Sequence, residues 1–370
     1  MIHEISMTIP IKSTISYPII IGASLYDVST WLPKNKTFNQ IVIITDHTVK
    51  KHYGLLLNKY LRQTGHNSLL LSFPAGEKFK NNKTKQEIEN AMLQHRCERD
   101  TLILALGGGV VGDLAGYIAA TYMRGVPYIQ IPTTMLAMVD SSVGGKTGVN
   151  TIHGKNLLGV IYQPTCVVAD ISLLKSLSKK NIINGLIEAI KMFLTHDAES
   201  LRYTESHLHS IVKSDDKVLE EIVNRAVRIK AAVVGRDEKE RGERSALNFG
   251  HTIGHALEKI SNYTLLHGYA VAYGILVEAT ISHALGLLSA EQLLIIKNLI
   301  AKLGITGKDL QKYELTKLIQ ATKNDKKVQL GNAHYTLLQE IGSTLITNGN
   351  YAHSVVDEIV KQAFKSAIEG

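Results

Sequence analysis

Cysteine is scarce in this chain of 370 residues, which contains only Cys97 and Cys166. Two cysteines cannot form a disulfide framework, and their separation does not match the spacing of metal ligands. Both are predicted to be buried thiols, which fits a reducing compartment such as the cytoplasm. The first residues lack a basic segment followed by an apolar stretch, so no signal peptide is expected.

Long apolar runs and basic runs are also lacking. The most apolar segment, residues 101–120, contains three consecutive glycines and Asp113, so it predicts a buried strand leading into a helix rather than a membrane span. The net charge is +8, but the Lys and Arg residues are scattered, with no basic run of five or more. This pattern argues against nucleic-acid binding and favours a site for small anions.

The chain is long enough for two domains, and the patterns of its two halves differ. Before about residue 178, β-branched runs such as 41–45, 101–105 and 128–131 alternate with helix-like stretches, which predicts a parallel sheet with crossover helices. Beyond residue 181, apolar residues recur at helical spacing, as in 218–234 and 293–303. We therefore expect an α/β domain over residues 1–178 and an all-α domain over 179–370, with the polar segment 176–184 as the candidate linker.

A glycine-rich turn, Gly107-Gly-Gly-Val-Val-Gly112, follows a predicted strand and precedes an apolar helix. Such a turn lets a pyrophosphate approach the backbone N–H groups at the start of the helix, although a purely structural turn is about as common. The acidic residue expected roughly 20 residues further on is missing. Asp46 and Glu77 are the acids available to bind a ribose, although the residues alone favour a helix cap or a solvated charge for each.

A second glycine segment, Gly145-Lys146-Thr147, resembles the end of a P-loop. The first glycine of that motif would fall at position 140, which is Asp140, so a nucleotide-hydrolysing P-loop is rejected. Lys146, together with the nearby Lys155 and Asn156, instead predicts an anion-binding cluster.

Glu188, His251, His255 and His267 come from distant segments and suit a divalent transition metal that keeps an open coordination position. Histidines four apart are more often not a ligand pair, and spacing alone does not show whether Glu188 and His267 join them. If the segment around His251 is helical, one face would carry five polar residues and line a cavity: Glu240, Arg244, Asn248, His251 and His255.

Together these segments resemble the 3-dehydroquinate synthase family over roughly residues 40 to 330. The runs that carry the resemblance are Gly107-Gly-Gly-Val-Val-Gly-Asp-Leu-Ala-Gly116, Arg124-Gly125, Pro132-Thr-Thr134, Asp140-Ser-Ser-Val-Gly-Gly-Lys-Thr147, Gly154-Lys-Asn156, Leu247-Asn-Phe-Gly-His-Thr-Ile-Gly-His255, His267-Gly268 and Asp325-Lys-Lys327. The resemblance implies an α/β nucleotide-binding domain, a helical metal-binding domain, an active site in the cleft between them and a homodimer.

Residue roles follow from the same resemblance. It implies that Glu188, His251 and His267 bind Zn²⁺ or Co²⁺, and that His255 lies near a substrate phosphate instead of binding the metal. The positions that correspond to NAD binding are Asp46, Glu77, Lys80, Gly109, Val110, Asp113, Thr133, Thr134, Lys146 and Lys155. Those that correspond to substrate binding and catalysis are Arg124, reaching across the dimer, and Lys146, Asn156, Lys191, Lys230, Arg244, Asn248, His255 and Lys327, with Asp140 and Glu240 completing the polar lining.

The implied reaction converts 3-deoxy-D-arabino-heptulosonate 7-phosphate to 3-dehydroquinate and phosphate, a carbon–oxygen lyase step of the shikimate pathway to aromatic amino acids. Oxidation of the C5 carbinol by NAD, with the metal as Lewis acid, acidifies the adjacent C–H so that phosphate leaves by β-elimination. Return of the hydride, ring opening and an intramolecular aldol closure follow, with no net NADH.

Three alternatives remain. Sister sugar phosphate cyclases such as 2-deoxy-scyllo-inosose synthase share the glycine turn and the metal ligands, but Asn156, Asn248 and Asp325-Lys-Lys327 favour the dehydroquinate reaction. A metal-dependent polyol dehydrogenase would not need a phosphate cluster, and a non-catalytic anion-binding protein would show damaged metal ligands.

The sequence departs from the family at Tyr269, usually glutamate, and at Ser176, usually threonine, and residues 331–335 lack a common arginine. We expect altered tuning of the site from these departures rather than lost activity.

Overall fold

The computed structural model describes residues 15–33, 36–323 and 333–369. The predicted site residue Lys327 and the rest of its Asp325-Lys-Lys327 motif lie outside the described residues. The described residues of the first half form eight strands: β1 Ile19–Ile21, β2 Gln40–Asp46, β3 Ser68–Phe73, β4 Thr101–Gly107, β5 Tyr128–Pro132, β6 Lys146–Thr151, β7 Gly154–Ile161 and β8 Cys166–Ala169.

Six of these strands form one parallel sheet in the order β1-β8-β5-β4-β2-β3. The three predicted runs at 41–45, 101–105 and 128–131 all lie within its strands. Every residue of β4 is buried, which explains its unbroken apolar sequence, since a central parallel strand is covered on both faces. The α/β prediction for this half is confirmed.

The helices of the first half are α1 Val28–Trp31, α2 His47–Val49, α3 Leu55–Gln63, α4 Asn82–Gln94 and α5 Gly109–Thr121. Short π or 3₁₀ turns cover Lys50–Gly54, Glu77–Phe79, Tyr122–Arg124, Ala137–Ser141 and Ile171–Ser176. Strands β6 and β7 form an antiparallel hairpin, hereafter the hairpin, that lies outside the sheet and packs against α5. The sequence did not predict this hairpin.

The second half is helical, as predicted. Its helices are α6 Lys179–His196, α7 Ala198–Ser206, α8 Leu208–Val212, α9 Asp216–Arg236, α10 His251–Ile260, α11 His267–Ala284, α12 Ala290–Lys302, α13 Leu315–Thr322 and α14 Asp357–Glu369, with 3₁₀ turns at Glu243–Asn248 and Gly307–Lys312. Two short antiparallel strand pairs are added: β9 His334–Tyr335 with β12 His353–Ser354, and β10 Leu338–Glu340 with β11 Ser343–Thr344.

Most of the candidate linker, residues 176–184, is helical. Ser178 caps α6 by accepting a hydrogen bond from the Asn181 N–H, so most of this segment forms the first turns of a helix in which Ile182 and Ile183 are already buried. The division into residues 1–178 and 179–370 stays a prediction.

One apolar core connects the two halves. Ile41, Ile43 and Leu104 point to the sheet face that packs with the helices of the second half, whereas Val42 and Ile103 belong to a smaller cluster beneath α4 and α5. This alternation follows from the two-residue period of strands. Residues of both halves belong to this core, so the helical half packs directly on the sheet. Among the described residues, no helix is both long and apolar enough to cross a membrane.

Candidate active site

Three side chains from three helices form a candidate metal site. Glu188 lies in the middle of α6, whereas His251 and His267 are the first residues of α10 and α11. The Glu188 Oε1 atom is 3.8 Å from His251 Nε2 and 3.3 Å from His267 Nε2. One ligand atom from each residue lies within 4.8 Å of the other two, which is the spacing that a single cation needs.

The donor set fits a divalent metal. Glu188 is fully buried, and its Oε1 makes no hydrogen bond with any described residue, while its Oε2 accepts one from Lys191 Nζ at 2.6 Å. The Nδ1 atom of His251 lies 3.3 Å from the Phe249 carbonyl, and that of His267 lies 3.2 Å from Glu258 Oε2. Both Nε2 atoms are therefore directed at the carboxylate, and three protein ligands leave a coordination position open.

Close contacts between the helices hold the histidines in place. Gly250, at φ +77°, precedes α10, and a Cβ there would lie 2.8–2.9 Å from Ile275 and the Val271 carbonyl of α11. A Cβ at Gly268 would lie 1.9 Å from the Asn184 carbonyl of α6. These glycines let α6, α10 and α11 approach closely enough for their side chains to share one cation.

His255 does not complete an i, i+4 ligand pair in this arrangement. Its ring lies 5.2 Å from that of His251 and stacks on that of His267 at 6.1 Å. His255, Glu258 and His267 also group closely enough for a cation. Glu258, however, already contacts His267 with one oxygen and Lys155 with the other, at 3.1 Å. The group of Glu188, His251 and His267 is therefore the better candidate for a cation, because the Oε1 atom of Glu188 makes no hydrogen bond within the described part of the chain.

Charge balance in the metal site depends on burial and on neighbouring charges. Burial alone would raise the pKa of Glu188, but Lys191 and the nearby histidines hold it well below its usual value of 4.5. Burial lowers the pKa of His251 well below 6.5, so this imidazole is neutral and ready to bind a metal. Burial also disfavours charged His267, yet the carboxylates of Glu188 and Glu258 raise its pKa to about 10.

A second buried network adjoins the metal site. Lys230 of α9 donates to both the side chain and the backbone carbonyl of Asp140. Burial lowers the pKa of Lys230 despite Asp140, while Lys230 and Lys191 lower the pKa of Asp140 against its burial. The pKa of Lys191 is raised because Glu188 and Asp140 outweigh its burial. Three predicted site residues, Lys191, Lys230 and Asp140, are thus brought together beside Glu188.

The prediction that one helical face carries five polar residues is wrong. Residues 237–250 form a loop and a 3₁₀ turn before α10 begins at His251, because Gly242 and Gly250 adopt non-helical backbone angles. The loop still brings predicted residues together, since Asn248 Nδ2 donates to Glu240 Oε1 at 2.6 Å. Arg244 is buried and donates to the Glu238 carbonyl at 2.5 Å. A cavity of about 670 Å³ lies beside Glu240 and Asn248.

The glycine turn lies at the carboxyl end of β4 and fits a pyrophosphate. A Cβ at Gly109 would lie 3.0 Å from Ser141 Oγ, and one at Gly108 would lie 3.1 Å from the Thr134 side chain. No side chain caps the first turn of α5, so its N–H groups point into this narrow space. Thr133 is buried, and its N–H donates to the Gly107 carbonyl. Val110 lies in the same turn of α5.

The acids near this turn already have protein partners. Asp46 ends β2 and caps α2 by accepting from the Thr48 and Val49 N–H groups at 2.7 and 3.0 Å. Glu77 Oε1 accepts from Asn150 Nδ2 at 2.7 Å. Both lie near the carboxyl edge of the sheet, where nucleotides bind in open parallel sheets, and both could also contact a ribose.

The hairpin links the two halves of the site. Lys80 pairs with Asp113 of α5 and donates to Asn156 Oδ1 of the hairpin at 2.6 Å. Lys146 of the hairpin pairs with Glu240. A smaller cavity of about 280 Å³, lined by Asp113, Lys146 and Asn156, lies on the other side of this pair. The predicted anion cluster of Lys146 and Asn156 is therefore next to both the glycine turn and the loop of the helical half.

Arg124 is not brought to the site of its own chain. It is exposed and lies just beyond the C-terminal end of α5, whereas the glycine turn is at the N-terminal end. Thirteen helical residues separate the two ends by about 20 Å at the usual rise per residue.

Sequence reasoning missed three residues that organise the site. Glu258 lies seven residues after His251, so helical spacing could have placed it on the same face of α10. Glu278 is fully buried in α11 and accepts from the Gly250 N–H at 2.7 Å and the Ile253 N–H at 3.3 Å. Asp237 accepts from three backbone N–H groups of the loop. No sequence signal marked the last two, because their partners are backbone atoms.

Tyr269 and Ser176 are two of the departures from the family pattern. Tyr269 is half-buried in the first turn of α11, and the Lys180 ammonium lies 5.8 Å from the centre of its ring. Ser176 donates to the Leu173 carbonyl at 3.0 Å.

A candidate metal triad and a glycine turn that fits a pyrophosphate, joined by a hairpin between an α/β half and a helical half, are features of an enzyme that uses a nucleotide cofactor and a metal. Several known proteins are similar to this chain in sequence. The "3-dehydroquinate synthase N-terminal" profile matches residues 70–184, and the "3-dehydroquinate synthase C-terminal" profile matches residues 185–328. The 3-dehydroquinate synthase of Nitrosospira multiformis is 40% identical over 95% of this chain and 96% of its own length. The chain belongs to the 3-dehydroquinate synthase family.

Solved structures of other cyclases are also similar. One is 2-deoxy-scyllo-inosose synthase complexed with carbaglucose-6-phosphate, NAD⁺ and Co²⁺, which is 26% identical with a TM-score of 0.87 over 95% of this chain and 96% of that chain. Another is 2-epi-5-epi-valiolone synthase from Streptomyces hygroscopicus with NAD⁺ and Zn²⁺ bound, which is 27% identical with a TM-score of 0.87 over 98% of this chain and 99% of that chain.

Proposed function

We propose that this protein is a 3-dehydroquinate synthase that converts 3-deoxy-D-arabino-heptulosonate 7-phosphate to 3-dehydroquinate and phosphate. Membership in the family supports the assignment. The structural observation that carries it is the contact of two hairpin lysines with carboxylates of the helical half, Lys146 with Glu240 and Lys155 with Glu258. These contacts support a single substrate position between the glycine turn, the cation cluster and the metal triad.

NAD and a divalent cation, Zn²⁺ or Co²⁺, are the proposed cofactors. When bound, NAD would supply reversible hydride transfer, and the cation would act as a Lewis acid on the hydroxyl being oxidised. Glu188, His251 and His267 would hold the cation. The glycine turn and α5 would hold the pyrophosphate, with Asp46, Glu77, Lys80, Val110, Asp113, Thr133, Thr134, Lys146 and Lys155 around the rest of NAD.

The protein side chains supply charge and orientation. Lys146, Lys191, Lys230 and Arg244 place positive charge around a substrate that carries a carboxylate and a phosphate, and such charge-assisted hydrogen bonds are the strongest available. Asn156 and Asn248 can orient hydroxyls, and His255 adjoins the metal histidines where a phosphate would lie. Lys230 is buried, and this burial lowers its pKa despite the ion pair with Asp140. Lys327 and its neighbours are assigned to the phosphate end by resemblance alone.

A homodimer is proposed with Arg124 completing the partner's site. Arg124 lies at the wrong end of α5 to reach the site of its own chain. The hairpin strand β7 also exposes Leu157, Leu158, Val160 and Ile161, each 38–44% accessible, next to Lys146 and Asn156. A row of exposed apolar residues on a strand outside the main sheet fits an interface with a second copy. The free, buried Cys97 and Cys166 agree with a cytoplasmic location.

A sister cyclase activity is the second candidate, because the structural match to 2-deoxy-scyllo-inosose synthase covers nearly the whole chain. The higher identity to 3-dehydroquinate synthases, 40% against 26%, favours the dehydroquinate reaction. A polyol dehydrogenase is less suitable, since it has no use for four cations around the substrate.

The test is phosphate release from 3-deoxy-D-arabino-heptulosonate 7-phosphate with NAD and zinc, while absorbance is followed at 340 nm. We expect catalytic phosphate release without accumulating NADH, and loss of activity with a chelator or with His251→Ala. His209→Ala, which removes an exposed histidine of α8, is the matched control and should retain activity. Phosphate release from glucose 6-phosphate alone would instead favour the sister cyclase, and net NADH would favour a dehydrogenase.

A further inference from the structure

Glu258 occupies a position between the two halves of the molecule. Its carboxylate is 6% accessible, and its Oε2 lies 3.2 Å from His267 Nδ1. A carboxylate on the Nδ1 side of an imidazole fixes the tautomer whose Nε2 is free to bind a metal, and it sets the orientation of the ring. His267 Nε2 faces Glu188 Oε1 at 3.3 Å, as this orientation requires.

The other oxygen of Glu258 is in contact with the hairpin. Lys155 Nζ lies 3.1 Å from Glu258 Oε1 and 4.3 Å from the centre of the Tyr263 ring. Tyr263 itself is tied to the same turn, because its N–H donates to the Glu258 carbonyl at 2.7 Å. The lysine of the α/β half therefore contacts two groups at the end of α10, one ionic and one aromatic.

We propose that Glu258 is a positioning residue that orients the metal ligand His267 and also anchors the hairpin through Lys155, so that metal binding and hairpin order are coupled. The inference rests on the metal site of the proposed function. Asn156, the residue after Lys155, contacts Lys80, which pairs with Asp113 beside the glycine turn. A continuous series of polar contacts thus joins the metal ligand to the nucleotide side of the site.

The coupling must act in both directions, since a ligand that stabilises one arrangement is itself bound more tightly by it. A cation bound by His267 would fix the orientation of the imidazole. The fixed imidazole would in turn hold the Glu258 carboxylate, which contacts Lys155. Glu258→Gln removes the charge and weakens both contacts. Lys155→Met keeps the Glu258–His267 contact and the length of the side chain but removes the ammonium.

The experiment combines zinc affinity with hydrogen exchange, both without substrate or NAD. Competition with a chromophoric chelator measures the zinc Kd, and amide exchange of residues 146–161 is followed with and without zinc. We expect Glu258→Gln to weaken zinc binding by about 10- to 100-fold. In the wild type, zinc should slow exchange in the hairpin by about fivefold or more, and this effect should be lost in Lys155→Met.

Lys302→Met is the matched control. It breaks an ion pair on the surface of the helical half, in which Lys302 Nζ lies 2.8 Å from Glu205 Oε1. It should change neither quantity. Zinc binding by Glu258→Gln within twofold of the wild type, or zinc-dependent protection that persists in Lys155→Met, would overturn the inference alone. Absence of zinc binding in the wild type would overturn the proposed metal site with it. If Glu258→Gln does not fold, the half-exposed Lys155→Met still decides whether the coupling exists.

Discussion

The two carboxylate oxygens of Glu188 contact different partners at the centre of the candidate metal site. One accepts from Lys191, and the other faces two imidazole nitrogens. The Glu188 and Lys191 side chains are both nearly inaccessible to solvent. If one of these charges is removed, water therefore cannot solvate the other. A substitution here therefore affects folding as well as metal binding.

Glu188→Gln is expected to lower the free energy of unfolding of the metal-free protein by about 3 kcal/mol, because it leaves the buried Lys191 ammonium without its closest charge partner. It should also abolish measurable zinc binding. Urea unfolding checks the first effect and chelator competition the second. The exposed pair of Lys302 and Glu205 provides a control, since Lys302→Met should cost at most about 1 kcal/mol. Unfolding of Glu188→Gln at the same urea concentration as the wild type would contradict the prediction.

The sequence could nominate the metal residues but could not select among them. Residue type alone nominates a carboxylate and three histidines, and the i, i+4 spacing of His251 and His255 does not decide which of them would bind a cation. The choice depends on where α11 starts relative to α10, which is a matter of helix packing. Only resemblance to the family excluded His255, and its role remains a prediction.

At the scale of elements, α10 begins without a capping side chain of its own. Gly250 holds the N-cap position, and the buried carboxylate of Glu278 in α11 accepts the N–H groups of Gly250 and Ile253 instead. A carboxylate there satisfies two backbone donors and complements the positive end of the helix dipole. This contact sets the position of His251, the first residue of the helix.

Glu278→Leu is expected to lower the free energy of unfolding by about 2 kcal/mol, because buried N–H groups lose their acceptor. The zinc Kd should rise by about tenfold, since a group behind the metal ligand is lost. Glu291→Gln serves as control, because Glu291 lies in the first turn of α12 but is exposed. The prediction is contradicted if the Leu variant binds zinc like the wild type.

Asp237 organises the loop that carries Glu240 and Arg244. Burial would raise its pKa, but hydrogen bonds from the N–H groups of Arg241, Gly242 and Arg244 lower the pKa below the ordinary 3.8. A carboxylate with a lowered pKa contributes stability above its unfolded-state pKa, and this contribution is lost as the pH falls through the folded-state value.

Asp237→Asn is accordingly expected to cost about 1 kcal/mol at about pH 7, and this difference from the wild type should shrink once the pH falls below 3.8. Urea unfolding at a series of pH values measures it. Asp357→Asn, at an exposed ion pair with Lys323, should show a much smaller effect at neutral pH. A difference that stays constant down to about pH 3 would show that the charge of Asp237 is not responsible.

Long periodic elements were predictable, whereas the hairpin was not. Strands β2, β4 and β5 have buried apolar runs that no alternative structure accommodates as well. The hairpin contains Gly148 and Gly159, and a Cβ at Gly159 would lie 2.0 Å from the Thr147 carbonyl. These glycines permit close pairing of the two strands, but in a sequence such glycines are typical of a loop. The sequence pattern therefore did not predict the hairpin that joins the two halves.

At the scale of the whole molecule, the site is assembled from both halves, and the sequence could not show how they meet. Composition and periodicity predicted an α/β half and a helical half. The contacts that make them one site, such as Lys146 with Glu240, join residues 94 positions apart, and no local pattern encodes them. The proposed role of Arg124 extends the same problem to a second chain, because this residue lies at the far end of α5 from the glycine turn.

Complementation between inactive variants tests whether Arg124 acts in the partner's site. Arg124→Ala and Lys191→Met should each be inactive as homodimers, since each lacks one cation from every site. A heterodimer purified with two different tags has one site that combines the intact Lys191 of one chain with the intact Arg124 of the other. If Arg124 acts across the dimer, the activity of the heterodimer should be about half that of the wild type, because a twofold dimer has two equivalent sites.

If Arg124 serves its own chain, both sites of the heterodimer lack a residue and no activity returns. Light scattering on the same sample confirms that it is a dimer, so loss of assembly cannot be mistaken for action within one chain.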